Sequence, residues 1–223
     1  MNSASQRGKA MKRMDEYLTP EQRSVLSGLN TPHKIQEYLD KVAYNREDIN
    51  RSPIRVMDEM QAHCLDGGVF GAAALMRLGH PPLIVDLLPI PDGDDDHILA
   101  VFQMYGCYGA LAKSNYNGLR FREPIYKSLR QLVLSYFEDF YNLEGVKSLR
   151  RYTRLINLEK FDRENWLYQD HGVDVIEKYL KKIKGYNLFT QDQTNFFSRV
   201  DDLSRRAGML GCNPDGLFQP PHK

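Results

Sequence analysis

The sequence predicts an α+β fold in which a cysteine-bearing helix packs on a small antiparallel sheet, with helical extensions at both ends. Three observations carry that expectation. Residues 64–78 read as a helix dense in small residues, stopped by Gly79 and the Pro81-Pro82 turn. Residues 83–122 hold short apolar runs separated by turn residues, the pattern of strands joined by hairpins. On either side, hydroxyl-proline pairs and apolar residues at helical spacing mark further helices.

The elements follow in order. Residues 1–9 are polar and expected to fray. Thr19-Pro20-Glu21-Gln22 is a capping box with proline at the first helical position, and Thr31-Pro32 and Ser52-Pro53 repeat the cap followed by proline. These predict helices over 20–29, 32–43 and 53–62, the last with Ile54, Val56, Met57 and Met60 on one face. Gly67, Gly68 and Gly71 weaken residues 64–78 as an isolated helix, so their presence there predicts that a sheet approaches closely. Strands are predicted over 83–88, 97–104, 108–113 and 119–122. The acidic run Asp92–Asp96 separates the first two, and the turn Tyr105–Gly109 joins the next pair. Ile125, Leu129, Leu132, Val133, Tyr136 and Phe137 predict a helix over 124–141. Residues 149–161 read as strand or loop. Helices are predicted over 173–184 and 191–207, and the Gly- and Pro-bearing tail 208–223 is expected to be poorly ordered. The expected organisation is one domain over 1–223: N-terminal helices 1–50, a core 51–123, a helical extension 124–207 and the tail.

Bulk properties narrow the function classes. The 30 Lys and Arg nearly balance the 29 Asp and Glu, so no global field points to nucleic acid or an anionic membrane. No window is long and apolar enough for a membrane span, and no apolar signal core opens the chain. Three cysteines in 223 residues do not make a disulfide framework and fit a reducing, cytoplasmic setting. Asp92-Gly93-Asp94-Asp95-Asp96 lacks the spacing of a calcium loop, and no Cys/His spacing fits zinc, so neither metal nor cofactor is expected. The basic groups Lys147–Arg154 and Lys178–Lys184 are diluted by neighbouring acids and read as solvated faces.

The chemistry centres on Cys64 and His97. A thiol at a helix start meets unpaired N–H groups that favour thiolate, and an imidazole at the start of a nearby strand is the second part a cysteine nucleophile needs. Taken singly, each has an ordinary structural role, as a buried thiol and a strand-edge histidine. His63, adjacent to Cys64, points elsewhere on the helix and is not the expected partner. Gln61 is a candidate oxyanion donor or a solvated side chain.

Ala72-Ala73-Ala74-Leu75-Met76-Arg77-Leu78-Gly79-His80-Pro81, the strand Leu83-Ile84-Val85, His97 opening the next strand, and Tyr108 after a turn form one series. Over roughly 50–120 it resembles the transglutaminase-like group of the papain-like superfamily, in its bacterial branch. That resemblance implies a papain-like core with Cys64 as nucleophile, His97 as its base, and a peptide or protein substrate. The family's aspartate on the next strand is absent; Asn115, or Ser114, stands nearest to that place and would orient the His97 ring in its stead, each uncharged. Two functions are therefore expected: cysteine acyl transfer on a peptide or carboxamide bond, to water or to an amine, or a non-catalytic relative that binds a peptide or protein partner. Nothing in the sequence sets the oligomeric state.

Overall fold

The helix N-termini form where the hydroxyl-proline pairs lie. In this computed structural model, which describes residues 3–45, 47 and 49–218, α1 spans Ser3–Tyr17, α2 Pro20–Gly28 and α3 Pro32–Lys41. Thr19 Oγ1 accepts the Gln22 N–H while Gln22 Oε1 accepts the Thr19 N–H, which satisfies two helix-start donors. Thr31 caps α3 in the same manner through the Lys34 N–H. Ser52 makes no side-chain cap; its own N–H donates to Asp170 Oδ1 at 2.8 Å, tying the third helix start to the C-terminal half. The helical start at Ser3 replaces the expected frayed segment over the described residues 3–9.

The strand β1 (Ala43–Tyr44) runs parallel to β2 (Gln61–Ala62), with α4 (Pro53–Glu59) between them. β2 delivers the chain to α5 (Cys64–Arg77). Gly79 at φ +91° ends that helix, and the His80 N–H returns to Leu75 O. Antiparallel β3 (Leu83–Leu88), β4 (His97–Met104) and β5 (Cys107–Leu111) follow, then β6 (Arg122–Tyr126). After α6 (Leu129–Leu134) come β7 (Arg151–Tyr152) and β8 (Ile156–Asn157), then α7 (Asp170–Leu180), β9 (Tyr186–Asn187), α8 (Gln191–Asn195) and α9 (Asp202–Gly208). The larger sheet has the order β6-β5-β4-β3-β7-β9, with β8 also pairing β3. The architecture is thus mixed helix and antiparallel sheet, as the sequence predicts.

Both faces of this sheet are covered. Ile84, Ile98, Ala100, Phe102 and Leu111 pack under α5, together with α3, α4 and α7 residues. Val85, Leu87, Leu99, Val101 and Ala110 pack on the other side against Leu119, Leu132, Val133, Tyr136 and Phe140. The glycines of α5 let the first layer form. A methyl at Gly68 would meet Ile98 Cγ2 at 2.5 Å, and one at Gly67 would overlap the Lys113 side chain. Lys113 reaches through the layer to donate to Leu39 O at 3.0 Å and to Val42 O, capping α3; burial lowers its pKa to about 8.

The expected helix over 124–141 is instead split. Ile125 lies exposed on β6, Leu129–Leu134 alone is α-helical, and Phe137–Asp139 is a single 3₁₀ turn. The expected helix over 191–207 divides into α8 and α9, with Phe196 and Leu203 facing solvent rather than a core. Residues 208–218 of the tail are structured: Pro214–Gly216 forms a 3₁₀ turn that returns to β1. Residues 219–223 lie outside the described residues. Among the described residues, no helix is long and apolar enough to cross a membrane.

Candidate functional site

Cys64 is set in place by short-range pairing. Tyr44 on β1 lies beside Ala62 on β2, and two residues later α5 begins. His63 caps the helix: its Nδ1 accepts the Leu65 N–H at 3.2 Å, while the Asp66 carboxylate accepts the His63 N–H at 3.3 Å. Asp66 is wholly buried, also accepts the Arg51 N–H at 2.7 Å, and is pushed up to about 7 by loss of solvation. The buried Arg51 guanidinium bonds Glu59 at 2.6 Å and Glu47 at 2.9 Å, which fixes the segment before α4 at the cleft edge.

The Cys64 thiol lies in the wall of a cleft of about 600 Å³, bordered by Tyr44, His63, Asp95, Asp96, Glu177 and Lys181. It is 7 % exposed, and Sγ contacts Asp96 O at 3.6 Å. Burial raises its pKa well above the usual thiol range, and Asp96, Asp95 and Asp86 add to that; the Ile98 N–H beside Sγ acts the other way. A helix start stabilises an anion by only about 0.3–1 kcal/mol, and burial, the largest effect on this thiol, outweighs it. Asp86, on β3 opposite Ile98, is buried with Oδ1 unbonded, and its carboxyl is pushed well up by burial and by Asp96 and Asp95. Asp96 itself is raised to about 7 by burial and by Asp95. The thiol therefore sits, protonated, among carboxyls that themselves resist ionisation.

His97 points the other way. Alternation along β4 puts Ile98, Ala100 and Phe102 under α5, and His97, Leu99 and Val101 on the far face. Its ring meets Phe140 edge-on, and Nε2–H donates to Leu119 O at 2.8 Å; both neighbours belong to the far layer. Burial, aided by Arg122, lowers its pKa to about 4 against the Leu119 bond, so the ring is neutral at pH 7. The structure does not bring the Cys64 thiol and the His97 ring together; the start of β4 lies between them.

Ser114 and Asn115 line the same small cavity as His97, but neither bonds the ring. Ser114 Oγ accepts the Tyr116 N–H at 3.0 Å. Asn115 is engaged by the tail: its Nδ2 donates to Asn213 O and its Oδ1 accepts the Asn213 N–H, each at 2.8 Å. The expected orienting bond is replaced by Leu119 O, because the ring's one N–H is already satisfied there. Gln61 is exposed on β2. Cys64, Cys107 and Cys212 are free thiols. Among the described residues, no group of three or more His, Cys, Asp or Glu is arranged to hold a metal ion.

Two contributors escape sequence reading. Tyr44 borders both cavities, with its hydroxyl pushed well up by burial and by Cys64 and the nearby aspartates. The tail residues Gly216 and Phe218 border both as well. A two-residue strand and a Gly/Pro tail carry no periodic signal.

No family model matches the chain, and no curated protein matches it. Among solved structures it is similar to LapG of Legionella pneumophila, at 15% identity over 55% of this chain and 91% of that one, with a TM-score of 0.33.

Proposed function

We propose that the Cys64 cleft binds an extended peptide or protein segment, with Cys64 as a protonated wall residue and not a nucleophile paired with His97. The observation that carries this reading is the separation of the two groups by β4, each neutral in its own layer. An acyl-transfer enzyme needs an imidazole within hydrogen-bond reach of the thiol, to hold it as thiolate and to protonate the leaving amine. A binding cleft needs only shape, apolar contact and polar groups at its rim. Leu65, Ile98, Leu180 and Leu217 line this cleft, with Asn45, Asn50 and His63 beside them as polar groups.

Acyl transfer by Cys64 remains the second reading, on one observation: the thiol opens α5 with the Ile98 N–H beside it, a donor that favours the anion. The pH profile of iodoacetamide alkylation at Cys64, read by peptide mass spectrometry, separates the two. Binding without catalysis predicts slow alkylation at pH 7 that rises only above the free-thiol pKa of ~8.5, unchanged in His97→Gln. Rapid alkylation near pH 6 that His97→Gln abolishes would establish the nucleophile instead.

A further inference from the structure

The cleft already has a peptide-like neighbour, which is the chain's own C-terminal segment. Asn213 is held as a neighbouring strand would be held: the Asn115 amide takes both its N–H and its carbonyl, each at 2.8 Å. Asn213 Nδ2 donates to Tyr44 O at 3.2 Å, and Asn213 Oδ1 accepts the Asp215 N–H at 3.1 Å. The turn that follows brings Gly216 against the Tyr44 ring. A methyl on Gly216 would lie 2.7 Å from Tyr44 Cδ1, so only glycine passes there without displacing the ring or the chain. Beyond it, Leu217 and Phe218, both half-buried, border the Cys64 cleft, and Phe218 borders the His97 cavity too.

Side-chain amide pairing to a backbone, a glycine forced by close approach, and then two large apolar residues along a cleft wall together describe how a groove holds an extended peptide. We propose that Asn213–Phe218 is a strap that closes one side of the Cys64 cleft in cis, and that a partner segment with glycine followed by two large apolar residues competes for the strap's place. The proposal rests on the peptide-binding reading of the cleft. An intramolecular segment acts at an effective concentration of about millimolar, so a free copy displaces it only near or above that concentration, and a partner at lower concentration must bind correspondingly more tightly than the strap. The strap thereby sets a threshold for the partner and shields the thiol when none is bound.

The test is the rate of iodoacetamide alkylation at Cys64 at fixed pH, resolved from Cys107 and Cys212 by peptide mapping, in the full-length protein. Gly216→Val pushes the strap off Tyr44, and Asn213→Ala removes the bond to Tyr44 O and the turn without adding bulk. Both are expected to raise the rate at least tenfold with unchanged circular dichroism. Excess synthetic peptide of residues 213–218 is expected to return Gly216→Val to near the wild-type rate. Unchanged rates in both variants overturn the strap, whether or not the peptide binds. Faster rates with no protection by the peptide keep the strap as a cover and overturn the peptide-binding reading.

Discussion

Replacing His97 by glutamine tests the site's electrostatics through stability. His97 is 4 % exposed, with a pKa of about 4 in the folded protein against ~6.5 in an unfolded chain. Between those values the unfolded state binds more protons, so the ring's contribution is fully present above about pH 6.5 and is lost as pH falls toward 4. At 1.36 kcal/mol per pH unit, and with the ring half-protonated at pH 4, the loss is about 3 kcal/mol. Asp66 and Asp96, both raised to about 7, act with the opposite sign and are common to both proteins. The assay is therefore the difference in urea unfolding free energy between wild type and His97→Gln at pH 7 and at pH 4. Glutamine keeps a donor for Leu119 O, so the variant costs about 1–3 kcal/mol at pH 7 through packing, and that cost shrinks by about 3 kcal/mol at pH 4. A pH-independent difference would show that the ring is not held buried and neutral. A difference of opposite trend would mean a raised His97 pKa, as an ion pair with a Cys64 thiolate requires, and would refute the reasoning outright.

Other perturbations have definite outcomes. Gly68→Val drives a side chain into Ile98 and is expected to cost at least about 2 kcal/mol by urea unfolding, whereas Gly79→Asn, at a positive-φ position with open space around it, is expected to cost under about 1 kcal/mol. Asp86→Asn removes a buried carboxyl with Oδ1 unbonded, whose raised pKa makes it a liability as pH rises, so the variant's stability relative to wild type should increase from pH 5 to pH 8. Thermal unfolding is expected to be one cooperative transition, since both layers share the same sheet; a stable proteolytic fragment ending near residue 145 would contradict that.

The parts of the fold legible in the sequence are those with local signals. Thr19 and Thr31 announce their helices because a hydroxyl, a proline and a following polar residue satisfy the helix start without help from elsewhere. The α5 glycines predict a close sheet; Gly68 and Gly71 abut β4 and β5, and Gly67 abuts Lys113 just past the end of β5. What failed did so for physical reasons. Ile125 sits at helical spacing with Leu129, yet β-pairing of Tyr126 with Tyr108 takes that segment into the sheet. β7, β8 and β9 are two residues each, too short to show alternation. Most consequentially, both faces of β4 are buried, so 97–102 reads as an unbroken apolar run after the histidine. Without alternation, nothing in the sequence tells which face His97 takes, and the expected Cys64–His97 pair depended on that parity. Asn115 was legible as a polar residue at the strand end; its partner Asn213, 98 residues away, was not.

The central claim is that the Cys64 cleft binds a peptide without reacting with it. One sample tests that most directly: full-length Gly216→Val protein incubated at pH 7 with excess peptide of residues 213–218, read by intact mass and by amide hydrogen exchange. The variant is used because in the wild type the tethered segment already holds this place. The predicted result is slowed exchange across the start of α5 and β1, an unmodified protein mass and an intact peptide. An acyl adduct on Cys64, or cleavage of the peptide, would contradict it.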